Sequence, residues 1–390
     1  MPSGKGRDLK AESPERSTPL RSAGSVQEVI ARPGLRRLPR SAKTCRMPLA
    51  PAPLRLRLDG QALAANFRDL SARAGVPAWP AVKADAYGLG AREVAKRLEP
   101  LGAAGFAVAT WPEAVALARP DLELLILHGF TADCAAAAAT FPKARPVLAT
   151  PAQIAAWATA FPGREADLMV ETGMNRLGID PADLSAALAA VPVRIIHSHL
   201  ACADVPDHPL TLKQLDVFRA VAAATPAQGH ALANTAGIHW GRDFSFSAVR
   251  PGLGLYGGKA HPAATSQQVV TPEARILQVR SVPAGQGVGY GATWIAPADS
   301  RIAILNIGYA DGIPRRTAPH LSLQAGDTTI PAVGIISMDM IAADVTGLDI
   351  AEGDWLSLNW HLPTVSAASG ISQYELLVRL SLRFERVWAG

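Results

Sequence analysis

From residue 78 onward, short apolar runs rich in Val, Ile, Leu, Phe and Ala alternate with Ala-rich stretches of helical texture. The spacing of about 20–35 residues is that of βα units wrapped around a parallel sheet. Candidate strands fall at 78–83, 105–109, 123–128, 145–149, 167–171, 193–199, 230–233 and 246–250. Segments 91–98, 112–118, 151–161, 181–190 and 211–223 read as helices, several with Pro at the first helical position after Thr or Asp. Eight strands in this rhythm predict an α/β fold, a (β/α)8 barrel of the TIM type. A helix capped by Asp59 and packed through Leu63, Phe67 and Leu70 precedes it. After about residue 270 the texture changes to Val/Ile/Arg-rich runs broken by Gly, Pro and Asp, at 274–282, 301–306, 328–335, 343–346 and 354–358. These predict a C-terminal antiparallel β domain. The expected organisation is a barrel over 59–270 and a β domain over 271–390, with the alternating Leu54-Arg55-Leu56-Arg57-Leu58 as a strand within an N-terminal segment 47–58.

A chain of 390 residues, 49% of them hydrophobic, can bury one large core and a second, smaller one. No apolar run reaches the roughly 20 residues of a membrane span, so no membrane association is expected. Three scattered cysteines, Cys45, Cys134 and Cys202, form neither a disulfide framework nor a zinc cluster, which fits a reducing cytoplasm. The net charge of +5 suggests nucleic acid until its location is examined. Residues 1–46 hold 11 Lys and Arg against 4 Asp and Glu, so the remainder is slightly acidic and no nucleic-acid partner is expected. That basic, Ser/Pro/Gly/Arg-rich leader lacks hydrophobic periodicity and should be disordered. It also lacks the apolar core of a secretory signal, and its four acids argue against organelle targeting, which favours Met47 as the true start.

Polar residues fall at the C-terminal ends of the barrel strands, where such barrels build their sites and bind phosphate after strands 7 and 8. Lys83 closes the first strand, Arg176 follows the fifth, His199 ends the sixth, Asn234 and Thr235 follow the seventh, and Arg250-Pro-Gly-Leu-Gly follows the eighth. Singly, each has a mundane reading: a snorkelling lysine, a surface arginine, a packed histidine, a helix cap, a turn. Jointly they put an amine, an arginine and a phosphate pocket on one face. An ammonium drawn into an apolar strand end loses solvation, and the neutral amine can attack an aldehyde. Two rivals arise from the same residues. Gly252-Leu-Gly-Leu-Tyr-Gly257 satisfies a dinucleotide fingerprint, but no helix pattern follows it. His197 and His199, with Asp204 and His208 nearby, admit a metal site, but no third ligand recurs at another strand end.

The run Pro80-Ala-Val-Lys-Ala-Asp-Ala-Tyr-Gly-Leu-Gly90 resembles the cofactor-lysine motif of the alanine racemases, and the resemblance extends from about Leu54 to the C terminus. It implies that Lys83 holds pyridoxal 5′-phosphate (PLP) and that Tyr87, Thr235, Tyr374 and the amides of Gly252 and Leu253 hold its phosphate. His199 would lie against the pyridine ring. Arg250 would face the pyridine nitrogen and keep it unprotonated. Arg176, in Glu171-Thr-Gly-Met-Asn-Arg-Leu-Gly178, would meet the substrate carboxylate. Many family members brace that arginine with a carbamylated lysine seven residues earlier; this chain has Met169, so the brace is absent or replaced. Racemisation needs a proton donor or acceptor on each face of Cα. The resemblance supplies Tyr290, in Val288-Gly-Tyr-Gly-Ala-Thr-Trp294, as the second base, entering from a partner subunit together with Tyr309 and Met338. A tyrosine ordinarily titrates near 10, so cations must lower it for this role. The implied protein is a cytoplasmic homodimer with shared active sites. It would interconvert L- and D-alanine for peptidoglycan or for alanine catabolism, need no metal, and pair its N-terminal strand into the β domain.

Overall fold

The computed structural model describes residues 52–390 apart from Pro226 and Gln228; the basic leader lies outside the described residues. Six parallel strands, Phe106–Val108, Leu124–Ile126, Ala144–Leu148, Ala166–Met169, Val193–His197 and Gly229–Ala231, pair in chain order. Single parallel bridges extend the ring: Ala81 to Ala107, Ala78 to Val249, and Asn234 to Arg250. The first and eighth barrel segments are therefore bridges where full strands were expected. Pro77, Pro80 and Pro251 explain this, since a proline gives the ladder an acceptor and no donor. The bonds that form use what remains: Trp79 N–H to Val249 O at 2.8 Å, Ala81 N–H to Pro251 O at 2.8 Å, and Ala107 N–H to Pro80 O at 2.9 Å. The strand expected over 78–83 also ends early, and Lys83 opens a short helical turn, Lys83–Tyr87.

Helices cover the ring as their caps dictate. Asp59 accepts from Ala62 N–H at 2.9 Å to start Gly60–Ala74, whose Leu63, Phe67 and Leu70 are buried. Thr110 and Thr150 cap Trp111–Leu117 and Pro151–Ala160, with Pro in the first turn of each. The ring interior is lined by Trp79, Ala107, Leu125, Val147, Ala149, Met169, Ile195, Ala231 and Ala248. The alanines leave room for a buried polar chain described below.

Past residue 270 an eight-stranded sheet is built on the long strand Val270–Val282, which pairs antiparallel with Ser300–Leu305, Trp355–Leu358 and Leu54–Asp59. Leu54–Asp59 also pairs parallel with Glu385–Ala389, so the sheet is not wholly antiparallel. Leu54, Leu56 and Leu58 point into the core, while Arg55 and Arg57 on the other face bond Glu273, which also accepts from Ser357 at 2.9 Å. Strands Ser322–Ala325, Thr328–Val333 and Ile341–Asp344 complete the eight, and helices Leu362–Ser369 and Gln373–Val378 belong to the same domain. Among the described residues no helix is long and apolar enough to cross a membrane. Leu56 is fully buried, and Leu56→Ala should lower unfolding free energy by about 2–5 kcal/mol in chemical denaturation. A loss under about 1 kcal/mol would mean that this strand is appended to the core rather than part of it.

Candidate active site

Lys83 is presented by an unusual piece of backbone. The next four residues, Ala84, Asp85, Ala86 and Tyr87, have φ of 51°, 53°, 53° and 57°, a left-handed turn made without glycine. Each such residue costs about 1–2 kcal/mol, so the surroundings must over-determine the turn. Ala86 N–H bonds Val82 O at 2.8 Å and Gly90 N–H bonds Asp85 O at 2.9 Å. The Asp85 carboxylate accepts from Ala91 N–H at 2.8 Å, and the Arg386 guanidinium donates to Gly88 O at 2.9 and 3.1 Å. Glu113 closes the set: one oxygen accepts from Ala84 N–H at 3.1 Å, the other from Ala109 N–H at 2.7 Å. The turn behind Lys83 is thereby tied to the end of the second barrel strand.

Lys83, Tyr87, Arg176, His199, Thr235, Arg250, Gly252 and Tyr374 line one cavity of about 710 Å³ at the C-terminal ends of the strands. Burial first, then the charges of Arg176 and Arg250, lower the Lys83 pKa, with Glu113 opposing them. The amine is thus biased toward its neutral, nucleophilic form. Arg250 is buried, and burial lowers its pKa to about 10 with Asp167 opposing. Its Nη1 donates to His197 Nδ1 at 2.7 Å and to Ala231 O at 3.0 Å; its Nη2 donates to Leu232 O at 3.3 Å and to Ser198 O. His199 is pushed down to about 3 by burial and by Arg250, Arg176 and Lys83, so it presents a neutral ring.

At the other end of the cavity three tyrosines cluster. Tyr87 lies 4.9 Å from Tyr256 and 6.0 Å from Tyr374, ring centre to ring centre. Burial raises the pKa of all three, which keeps their hydroxyls as donors. Tyr256 spends its hydroxyl on Ala81 O at 2.7 Å, bracing the first barrel segment. Thr235 follows Asn234, whose side chain caps the short helix Thr235–His239 through Gly237 N–H at 2.9 Å. The Thr235 hydroxyl accepts from Gly252 N–H at 2.8 Å and from Gly254 N–H at 3.3 Å. A Cβ on Gly252 would sit 2.6 Å from Tyr87 Oη, so only glycine keeps this corner open. Tyr87, Thr235 and Tyr374 bring three hydroxyls around the side-chain-free corner at Gly252, donors of the type a phosphate requires.

Other expected residues are placed differently. The Gly252 amide is engaged by Thr235, and Leu253 lines a neighbouring cavity of about 440 Å³ that shares Asp204 and Tyr374 with the first. Arg176 is exposed at the rim, and among the described residues it makes no ion pair. Met169 forms part of the wall. Tyr290, Tyr309 and Met338 are 70%, 43% and 54% exposed, and none lines this cavity. The cavity also includes His128, Met174 and Asp204, which were not assigned to it from sequence. His128 had a legible signal, since it ends the third expected strand. His197 does not open toward a metal site: both ring nitrogens are taken up, by Asp167 and by Arg250.

Residues 58–260 match the alanine racemase N-terminal domain and residues 269–388 the alanine racemase C-terminal domain. An alanine racemase of Rhodospirillum rubrum is 39% identical over 361 residues, covering 86% of this chain and 96% of its own length. One from Methylobacterium nodulans is 38% identical over 356 residues, covering 85% of this chain and 95% of its own. Among solved structures, the Bartonella henselae alanine racemase with covalently bound pyridoxal phosphate superposes with a TM-score of 0.78 at 33% identity, covering 87% of this chain and 100% of that one. The biosynthetic alanine racemase of Pseudomonas aeruginosa gives 0.77 at 33%, covering 87% and 99%. With both domains matched in order and the lysine, arginine and hydroxyl cradle gathered at one barrel mouth, the chain belongs to the alanine racemase family.

Proposed function

We propose that this chain is a PLP-dependent alanine racemase working by a two-base mechanism, with Lys83 on one face of the substrate Cα and the partner subunit's Tyr290 on the other. The observation that carries the reading is one cavity lined both by a lysine of lowered pKa and by the hydroxyls of Tyr87, Thr235 and Tyr374, with a glycine corner where a Cβ would meet Tyr87. That donor set fits PLP: Lys83 would hold it through the amine, the Tyr87, Thr235 and Tyr374 hydroxyls would take its phosphate at the Gly252 corner, and His199 would lie along its ring. When bound, PLP supplies an electron-withdrawing ring that acidifies the Cα–H bond of an attached amino acid.

The chain's own residues do the rest. Lys83 Nζ, once neutral, accepts or returns a proton on its face of Cα. Arg250 offers the ring nitrogen a hydrogen bond and no transferable proton, because a guanidinium has donors, no acceptor and a pKa far above neutral. Arg176 at the rim suits the substrate carboxylate. One lysine reaches one face only, so inversion needs a second group. Tyr290 sits at an exposed turn of the β domain, which also exposes Leu277, Ile295, Met338 and Met340. Apolar exposure of this kind supports a homodimer in which the partner subunit's Tyr290, Tyr309 and Met338 complete the site. The same reading includes a cytoplasmic location and a supply of D-alanine for peptidoglycan or of L-alanine for catabolism.

The test follows solvent deuterium entering Cα of L- and D-alanine by NMR, together with chiral chromatography and borohydride trapping of PLP. Exchange and inversion from both enantiomers are expected; trapped PLP without inversion would overturn the racemase assignment. Lys83→Ala should abolish both directions and the trapping. Tyr290→Phe should slow removal of the L-alanine proton by about 10²–10⁴-fold while trapping persists, and an undiminished rate would remove the two-base assignment. Glu113→Gln removes the charge that opposes the fall in the Lys83 pKa. It should therefore move the basic pKa of the Lys83 amine in the cofactor-free enzyme further down, read as the pH dependence of PLP capture. Glu113→Ala should in addition slow capture by loosening the turn. A capture profile unchanged in both variants would show that Glu113 does not position Lys83.

A further inference from the structure

Beneath the cavity a chain of buried charges crosses the barrel interior, and the two-base scheme does not use it. Arg145 on Ala144–Leu148, Asp167 on Ala166–Met169 and His197 on Val193–His197 are each under 5% exposed. Arg145 Nη1 donates to Glu123 Oε2 at 2.6 Å and Arg145 Nε to Asp167 Oδ1 at 3.0 Å. Asp167 Oδ2 lies 2.9 Å from His197 Nε2, and His197 Nδ1 lies 2.7 Å from Arg250 Nη1. We propose that Asp167 and His197 are positioning residues whose fixed hydrogen-bond polarity makes Arg250 present a charged guanidinium to the cavity. This rests on the role given to Arg250 above.

The polarity is forced by the donor inventory. Burial disfavours the Asp167 carboxylate, but the hydrogen bonds it accepts from His197 and Arg145, with the charge of Arg145, outweigh it and hold its pKa below the usual range. An ionised carboxylate only accepts, so His197 Nε2 must carry the proton. Nδ1 is then bare and accepts from Arg250. An imidazolium is excluded by the same geometry, because an Nδ1–H would face the Arg250 N–H across 2.7 Å. Burial likewise lowers the His197 pKa to about 4, with Arg250 and Arg145 adding to the fall and Asp167 opposing it.

Anchoring alone would not require this pair. Arg250 already donates to the carbonyls of Ala231, Leu232 and Ser198, which hold it mechanically. What the pair adds is an acceptor backed by a negative charge. Asp167 is the group that opposes the loss of charge from Arg250 in its buried site. From the cavity side Lys83, Arg176 and His199 add no negative charge; Asp204 also lines the cavity, but Asp167 is the acid whose charge acts on Arg250.

The test reads the ring nitrogens of His197 by NMR in the holoenzyme labelled with ¹⁵N in histidine, assigned by the resonance lost in His197→Gln. The expected spectrum has a proton on Nε2, a bare Nδ1, and no titration from about pH 5 to about pH 9. A protonated Nδ1, or an imidazolium anywhere in that range, would overturn the proposal on the unmodified enzyme alone. Asp167→Asn is the sharper variant. Arg145 Nε–H and Ile195 N–H, at 3.0 and 3.3 Å, both demand the carbonyl oxygen of the new amide. Its NH₂ must then face His197 Nε2, which drives the ring proton to Nδ1, against Arg250. The tautomer should switch, kcat should fall about tenfold or more, KM for alanine should stay within about twofold, and the alkaline limb of the rate profile should move to lower pH. A switched tautomer with unchanged kcat and pH profile would reduce the pair to packing and overturn the proposal. Racemisation by an enzyme with the wrong His197 tautomer would leave the racemase reading standing, whereas the expected tautomer in a protein that inverts nothing would remove only that reading.

Discussion

Keeping Arg250 charged inside the barrel is the constraint that the rest of the site answers. A buried cation loses its hydration, and a guanidinium has five N–H groups to satisfy. The ends of the sixth and seventh barrel segments supply three carbonyls, and His197 supplies the remaining acceptor among the described partners. That geometry needs space, which Ala107, Ala149, Ala231 and Ala248 leave in the ring interior. The charge once installed sets the tone of the cavity. Burial first, and then its field with that of Arg176, lowers Lys83 and His199, so an amine and an imidazole that could each carry a proton are both biased to neutrality.

Lys83 answers a different constraint, one of direction. An extended strand would carry the residues after it onward along the barrel wall. The left-handed turn from Ala84 to Tyr87 instead doubles the chain back, burying Tyr87 against Tyr256. Several local bonds hold a conformation that the L-residues themselves disfavour, and Glu113 is notable among them because its charge also reaches the amine. Backbone strain and electrostatics at this lysine therefore share one residue.

The barrel was legible because its βα rhythm is a pattern of burial, and burial is what periodicity records. The mouth of the barrel was legible because Lys83, Arg176, His199, Thr235 and Arg250 are chemistry-bearing residues at strand ends. What escaped depends on partners far away in sequence. The early end of the first segment follows from proline positions and from clamps such as Glu113 and Arg386, not from the apolar run itself. Glu385–Ala389 becomes a strand because Leu54–Asp59 offers it an edge, and its alternating Arg386 and Trp388 carry little signal alone. Asp167 passed as an ordinary strand residue and His197 was read only as half of a possible metal-binding pair, since no single sequence tells which two inward-facing polar groups will meet. Tyr290, Tyr309 and Met338 came from resemblance, and none of them lines the Lys83 cavity of the same chain.

Met169 and Asp167 show how the interior is divided. Two residues apart on one strand, both face into the barrel, Met169 at the level of the cavity and Asp167 one layer deeper. The family resemblance implies a carbamylated lysine at the upper position in many members, which would place a negative charge beside the arginine corresponding to Arg176. Here the upper position is apolar, and the negative charge lies in the lower layer, where His197 carries its influence to Arg250. Arg176 is left at the rim without an ion pair among the described residues, on a loop shaped by Glu171 accepting from Gly173 N–H and Arg176 N–H. The chain thus places its buried acid beside Arg250, proposed to face the ring nitrogen, rather than beside Arg176, proposed to meet the substrate. It follows that substrate grip and ring electronics should respond separately to mutation, because the residues that support each no longer share a layer of the barrel.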